Sequence, residues 1–232
     1  MSNSVSRRRG TGIAGRLLLA FVISITTLLT VTLSPAVAVA VGLPLFVASS
    51  SPVTATELGA TWHPGCPVAP SALRIIRLRY VGFDGRSHLG TIVVNEAVVP
   101  EVEQVFRALY LAAFPLRSLR PESDFSGSDP ASMAADNSSG FNCRLAVSTG
   151  PATWSVHAYG EAIDVNPVEN PYLFKGSADP PDGQPFLDRT KVRPGMAVRG
   201  GVLVSSFASV GWYWGGRWTA SPDYQHFSAT GG

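Results

Sequence analysis

Hydrophobic and polar positions alternate in a few well-separated stretches of this chain, and each stretch predicts one element. Ile76, Leu78 and Tyr80 alternate with Arg77 and Arg79, the period of a half-buried strand. Asp84-Gly85 then supplies a tight turn, and Gly90 to Asn95 returns as the second strand of a β-hairpin. From Pro100 the period changes: Val102, Val105, Phe106, Leu109, Tyr110 and Ala113 fall on one face of a helix that ends before Pro115. Further along, Phe141 to Val147 and Tyr159 to Val165 read as strands, and Val202 to Val210 as a helix stopped by Gly211. The aromatic density of Trp212 to Ser228 reads as buried strands. Two stretches, Arg120 to Gly140 and Pro167 to Gly195, are rich in Ser, Asp, Asn, Gly and Pro and read as long irregular loops of the kind that often carry function. Together these elements predict an α+β domain with helices against a mostly antiparallel central sheet.

The ends set the domain limits. Residues 1–16 carry Arg7, Arg8, Arg9 and Arg16 and no acid, the apolar run Leu17 to Leu33 follows, and Ala36-Val37-Ala38-Val39-Ala40 offers small-residue exits. This is the pattern of a secretory signal over residues 1–40, cleaved near Ala38 or Ala40. An uncleaved anchor is the alternative, because the run approaches the lower limit for a membrane span. Residues 41–60, with Ser, Pro, Thr and Ala and no sustained periodicity, read as a linker, and residues 61–232 as the domain.

Charge and cysteine content narrow the class. The 18 basic and 16 acidic residues give +2, but without the four leader arginines the balance is 14 to 16, or −2, so the exported domain has no basic footprint for nucleic acid. Contact with a membrane is expected only through an uncleaved N-terminal segment, and the domain is read as a monomer. Cys66 and Cys143 would meet an oxidising compartment and are expected to form a disulfide. The alternative, His63 and Cys66 as metal ligands, competes with a fuller ligand set elsewhere.

That set lies in Ser155-Val156-His157-Ala158-Tyr159-Gly160-Glu161-Ala162-Ile163-Asp164 and Asp223-Tyr224-Gln225-His226-Phe227. A catalytic zinc takes three protein ligands from His, Asp or Glu and keeps one position open. His157, Asp164 and His226 meet that count. Gly160 permits a turn between the first two, and strand period places Ala162, Asp164 and Asn166 on one face, with Ala162 leaving room beside the metal. Asp223, three residues before His226, is placed to act as general base. Ser155 lacks a G-x-S-x-G context, so it reads as a local hydrogen-bonding residue rather than a nucleophile. His63 and His88 read as structural. Trp212, Trp214 and Trp218 read as packing residues, with a groove wall as the alternative. Asn137-Ser138-Ser139 fits a glycosylation acceptor but reads as loop.

The pattern SxHxxGxAxD followed by a late DxxH resembles the bacterial zinc peptidases that include D-alanyl-D-alanine carboxypeptidases and L-alanyl-D-glutamate endopeptidases, whose fold is shared with the hedgehog signalling domain. The resemblance extends over Cys66-Pro67, Phe141-Asn142-Cys143-Arg144, Asn166-Pro167 and Gly211-Trp212-Tyr213-Trp214-Gly215-Gly216. It implies a hedgehog/DD-peptidase-like fold, zinc on His157, Asp164 and His226, Asp223 as base, and Arg144 as the cation that supports the oxyanion. It further implies peptidoglycan stem peptides as substrate and an extracytoplasmic, cell-envelope location. Asp rather than Glu in the late motif leans towards the endopeptidases. A non-catalytic, zinc-stabilised module that binds cell-wall peptides is the competing reading.

Overall fold

The computed structural model describes residues 42–147 and 151–231 of the chain. The signal or anchor read over residues 1–40 lies outside the described residues. The first element, β1 (Ala48–Pro52), pairs antiparallel with β2 (Leu73–Gly82), from Ala48 opposite Leu78 to Pro52 opposite Arg74. The linker reading of residues 41–60 is therefore corrected. A Ser-rich segment with no hydrophobic alternation becomes a strand because β2 offers it a free edge, where Pro52 at the strand end costs no ladder bond. After β1, Thr54 and Glu57 form a reciprocal capping box that starts α1 (Ala55–Leu58) and buries Leu58.

The predicted hairpin is present as β2 and β3 (Ser87–Asn95), in register from Leu73 opposite Asn95 to Val81 opposite Ser87. Ile76 and Leu78 are fully buried, as the alternation requires. The helix follows as α2 (Val99–Leu111), burying Val102, Val105, Phe106, Leu109 and Tyr110. Ala113, assigned to the same face, lies past its end at φ 51°. Next come β4 (Pro115–Leu116) and β5 (Ser118–Leu119). Because β4 runs parallel to β2 beyond the end of β1, the four-stranded sheet is mixed rather than purely antiparallel.

Both polar stretches read as loops are more ordered than predicted. Residues 120–140 contain α3 (Asp129–Ala134) and β6 (Asn137–Ser138), which pairs parallel with β5. Asn137, Ser138 and Ser139 are buried, which leaves the glycosylation pattern inside the protein. By contrast, Phe141 to Val147 forms no strand. Its backbone bonds go singly to Val93, Thr61 and Thr153 carbonyls, so no continuous ladder develops. The predicted strand over Tyr159 to Val165 shortens to β7 (Ala162–Asp164), because a 3₁₀ turn occupies Val156–Tyr159. Residues 167–195 hold an antiparallel ribbon, β8 (Tyr172–Phe174) and β9 (Ser177–Asp179). Arg189 ties this stretch together by donating to the carbonyl oxygens of Glu169, Phe186 and Ala197 and to Asn170 Oδ1.

The chain ends with α4 (Val202–Ser209), β10 (Tyr213–Trp214) and β11 (His226–Ser228), and β11 lies between β10 and β7 in a second, three-stranded antiparallel sheet. Phe227 joins this small sheet to the core: it stacks on Phe207 of α4 with ring centroids 4.1 Å apart and lies beside Trp214, its cross-strand partner on β10. Trp212 and Trp214 are buried in the same cluster. The architecture is α+β, and no helix among the described residues is long and apolar enough to cross a membrane.

The expected disulfide joins Cys66 and Cys143 across 77 residues. Closing a loop of that length removes about 4.5 kcal/mol of chain entropy from the unfolded state in the entropic account.

Glu122, in a 3₁₀ turn before α3, is 2% exposed, and neither carboxylate oxygen has a hydrogen bond of normal geometry among the described residues. Burial pushes its pKa up to about 7, against partial relief from the nearby Ser132 and Ser139 hydroxyls. A folded-state pKa above the unfolded 4.5 means that this group's stabilising contribution is complete below that pH and is lost as pH rises through about 7. Glu122→Gln removes that titration. Urea denaturation should therefore show the variant gaining about 3 kcal/mol on the wild type between about pH 4.5 and about pH 8. Parallel stability curves for the two proteins would show that Glu122 does not hold its proton in the fold.

Candidate metal centre

The cross-strand pairing of β7 and β11 creates the site. Asp164 uses its backbone N–H and C=O on Ser139, on the side away from β11, while Val165 N–H bonds Gln225 O. Asp164 and His226 therefore face each other as a non-hydrogen-bonded antiparallel pair, the arrangement that brings side chains closest. Their neighbours Ile163 and Phe227 alternate into the core.

His157 arrives from the 3₁₀ turn. Ser155 caps that turn by accepting a bond from the His157 amide, the local role read from sequence. Gly160 closes it at φ 72°, and a Cβ there would lie 2.6 Å from Asn95 N, so neither the conformation nor the space admits a side chain. Gly215 plays a comparable part for the late motif, since a Cβ on it would press on Asp223 O at 2.8 Å and His226 Cβ at 3.3 Å.

The three side chains meet. His157 Nε2 lies 3.2 Å from His226 Nδ1 and 3.2 Å from Asp164 Oδ2, and His226 Nδ1 lies 3.2 Å from Asp164 Oδ1. All three residues are buried. His157 Nδ1 is 2.7 Å from Gly140 O, an acceptor only, so that nitrogen carries the proton and Nε2 turns a lone pair inward. Burial pushes His157 down, but the Asp164 charge and hydrogen bond outweigh it and leave the imidazole raised. His226, where burial prevails, is lowered. Burial pushes Asp164 up, and the two imidazoles overcome it to hold the carboxyl well below the usual range.

A divalent cation fits this triangle. Tetrahedral zinc with bonds of ~2.05 Å spaces adjacent ligand atoms about 3.3 Å apart, close to the separations here. Two imidazole nitrogens and one carboxylate suit zinc. The second His/Cys group, His63, Cys66 and Cys143, has both sulfurs committed to the disulfide. His63 packs on Trp154, and His88 pairs with Asp84 in the hairpin turn, consistent with structural roles.

A cleft of about 190 Å³ opens onto the triangle, and its lining includes Asp223, Arg144, Asp129, Tyr172, Asp179 and Trp218. Among the described residues, Asp223 Oδ1 is buried with no hydrogen-bond partner. Burial and the Asp164 charge push the Asp223 carboxyl well above its ordinary range, against the pull of His157 and Arg144. Arg144 Nη2 lies 3.1 Å from Asp129 Oδ2. Sequence reasoning missed Asp129 because it sits in a polar stretch and meets Arg144 only through the fold. Tyr172 and Asp179 show that the second irregular stretch walls the cleft as well.

Two expectations need correction. Asn166 does not share the ligand face, because β7 ends at Asp164 and Asn166 adopts φ 45°. Its side chain instead donates to Pro115 O and Gly195 O and accepts from Arg117 N. The tryptophans divide: Trp212 and Trp214 pack, whereas Trp218 is 36% exposed and lies 5.4 Å from the His226 ring.

Fold and site together define an α+β protein with a buried His-Asp-His group suited to a divalent metal. Residues 149–229 match the family model described as D-alanyl-D-alanine carboxypeptidase, in line with the resemblance that the motifs carry. No curated protein and no solved structure matches the chain. The matched segment contains His157, Asp164, Asp223 and His226, while Arg144, Asp129 and Cys66 lie outside it.

Removing one corner of the triangle should weaken metal binding more than the roughly 10–100-fold expected for an outer-sphere change. Asp164→Ala is therefore expected to lower zinc affinity by more than about 100-fold in competition with a chelating dye. Unchanged affinity would place the metal elsewhere.

Proposed function

We propose that this chain is a zinc-dependent peptidase that hydrolyses a peptide bond in the stem peptide of peptidoglycan, acting outside the cytoplasm as a monomer. The observation that carries this reading is the 3.2 Å triangle of His157, Asp164 and His226 at the floor of a cleft that also holds Asp223 and Arg144. Zinc, when bound, supplies a Lewis acid that brings the pKa of water down towards about 7.

The protein's own groups divide the remaining work. Asp223 takes the proton of the attacking water and returns it to the amine nitrogen as the carbon–nitrogen bond breaks. Its buried Oδ1 suits that task, since no donor among the described residues holds the oxygen away from the reacting water. Arg144 offers positive charge where the carbonyl oxygen becomes anionic. His157 and Asp164 keep fixed orientations through Gly140 and Ser139, so they need little rearrangement during the reaction.

Within this class, the late Asp of the DxxH motif favours an endopeptidase that cuts after L-alanine over a carboxypeptidase that releases D-alanine. Mass spectrometry of peptidoglycan fragments incubated with the zinc-loaded protein distinguishes the two by product, with a chelated sample as control. Asp223→Ala should lower turnover by about 10²–10⁴-fold with zinc still bound. Peptide binding with no metal-dependent product from the wild type would instead indicate a binding module, and full activity in the variant would remove Asp223 as the base.

A further inference from the structure

We infer that Asp129 is the positioning residue for Arg144, an inference that rests on Arg144 acting at the substrate carbonyl as proposed above. The Arg144 backbone is firmly placed: its N–H donates to Asn142 O, its carbonyl accepts from Ser155 N–H, and the adjacent Cys143 is bound to Cys66. Its side chain is not fixed by these contacts. A long, freely rotating stem separates the guanidinium from the backbone, and an unheld arginine loses much of its advantage as a charge donor.

Asp129 supplies the hold. Its Oδ2 lies 3.1 Å from Arg144 Nη2, with the two side chains only 15% and 23% exposed, so the ion pair is shielded from water on most sides. Among the described residues, the guanidinium's other contact is a 3.4 Å approach of Nη1 to Leu145 O, and Nε has no hydrogen-bond partner there. The contact at Nη2 therefore sets the direction of the planar group, and Nη1, which makes only the long approach to Leu145 O, keeps an N–H to offer a developing oxyanion.

Asp129 is itself anchored. It is the first residue of α3, where Ser128 caps the helix by accepting from Ala131 N–H and Pro130 stiffens the first turn. Across the cleft, Asp179 is a second carboxylate near Asp129. Asp129 and Arg144 together leave this wall close to neutral, and loss of Asp129 would free the guanidinium to swing towards Asp179 or Asp223.

The test uses the zinc-loaded full chain as wild type, Asp129→Ala, Asp129→Asn, Arg144→Ala and the Asp129→Ala/Arg144→Ala double variant. Peptidoglycan fragments serve as substrate and a phosphinate pseudopeptide as a mimic of the tetrahedral state. Asp129→Ala should lower kcat by about tenfold or more with KM changed by less than about twofold, and should weaken phosphinate binding in the same proportion. Zinc content should stay at the wild-type value. Asp129→Asn, which keeps an acceptor oxygen but not the charge, should recover part of the loss.

In the Arg144→Ala background the Asp129 substitution should add nothing. Side-chain nitrogen relaxation should also show Arg144 loosened in Asp129→Ala, a readout independent of turnover. A full Asp129→Ala loss in the Arg144→Ala background, or an Arg144 side chain as ordered as in the wild type, would overturn the positioning role and leave the Arg144 reading standing. Wild-type activity in Arg144→Ala would instead remove the oxyanion reading and this one with it.

Discussion

The constraint on which the rest of the structure depends is the burial of Asp164 between Ser139 and His226. A carboxylate at 5% exposure is tolerable only where hydrogen bonds and opposite charge replace the water it has lost. Here the backbone of Asp164 is saturated by Ser139, and its two oxygens each face an imidazole at 3.2 Å. The imidazoles in turn aim nitrogens at each other, an arrangement that needs a proton or a cation between them. The geometry that makes the group need a counter-charge is what suits it to a divalent ion.

Such a group holds its shape only on a stiff support, and the protein provides one in two layers. Phe227 sits one residue from His226 and packs against Phe207 and Trp214, so the strand that carries His226 is fixed by the core. On the other side the support is polar. Asn137 ties Arg120 and Ser118 together, Asp136 accepts from Val168 N–H, and Asn170 holds Val165 and Gly195. Networks of this kind rigidify when their members are satisfied, and they allow short strands to be placed without long ladders.

That division explains what could be read from the chain. The β2–β3 hairpin, α2 and α4 were legible because hydrophobic periodicity directly reports a face packed on a core. The metal group and Asp223 were legible because short spacing puts their chemistry in two compact motifs. The polar support was not legible: Arg120 to Gly140 has the composition of a surface loop, yet Asn137, Ser138 and Ser139 are among its most buried residues. Side-chain amides and hydroxyls satisfy the backbone there, and composition cannot tell that arrangement from solvation. The β1 strand escaped for a different reason, since its pairing comes from β2 and not from any pattern of its own. Phe141 to Val147 failed in the opposite direction: apolar residues at strand spacing met separate partners instead of one neighbouring strand.

The cleft joins these two kinds of structure. His157, Asp164, Asp223 and His226 lie within the segment matched by the family model and are held by β7, β11 and the turns beside them. Arg144 and Asp129 come from the stretch before it, where regular structure is sparse and the disulfide fixes the neighbouring backbone. A metal group must keep its ligand separations to within a fraction of an ångström, so it gains from strand pairing and aromatic packing. A cation in the role proposed for Arg144 must approach from outside the core, which agrees with its place on irregular chain, where it is tethered one contact at a time. The Cys66–Cys143 bond fixes the backbone of that chain, and the Asp129–Arg144 pair fixes the charge at its tip.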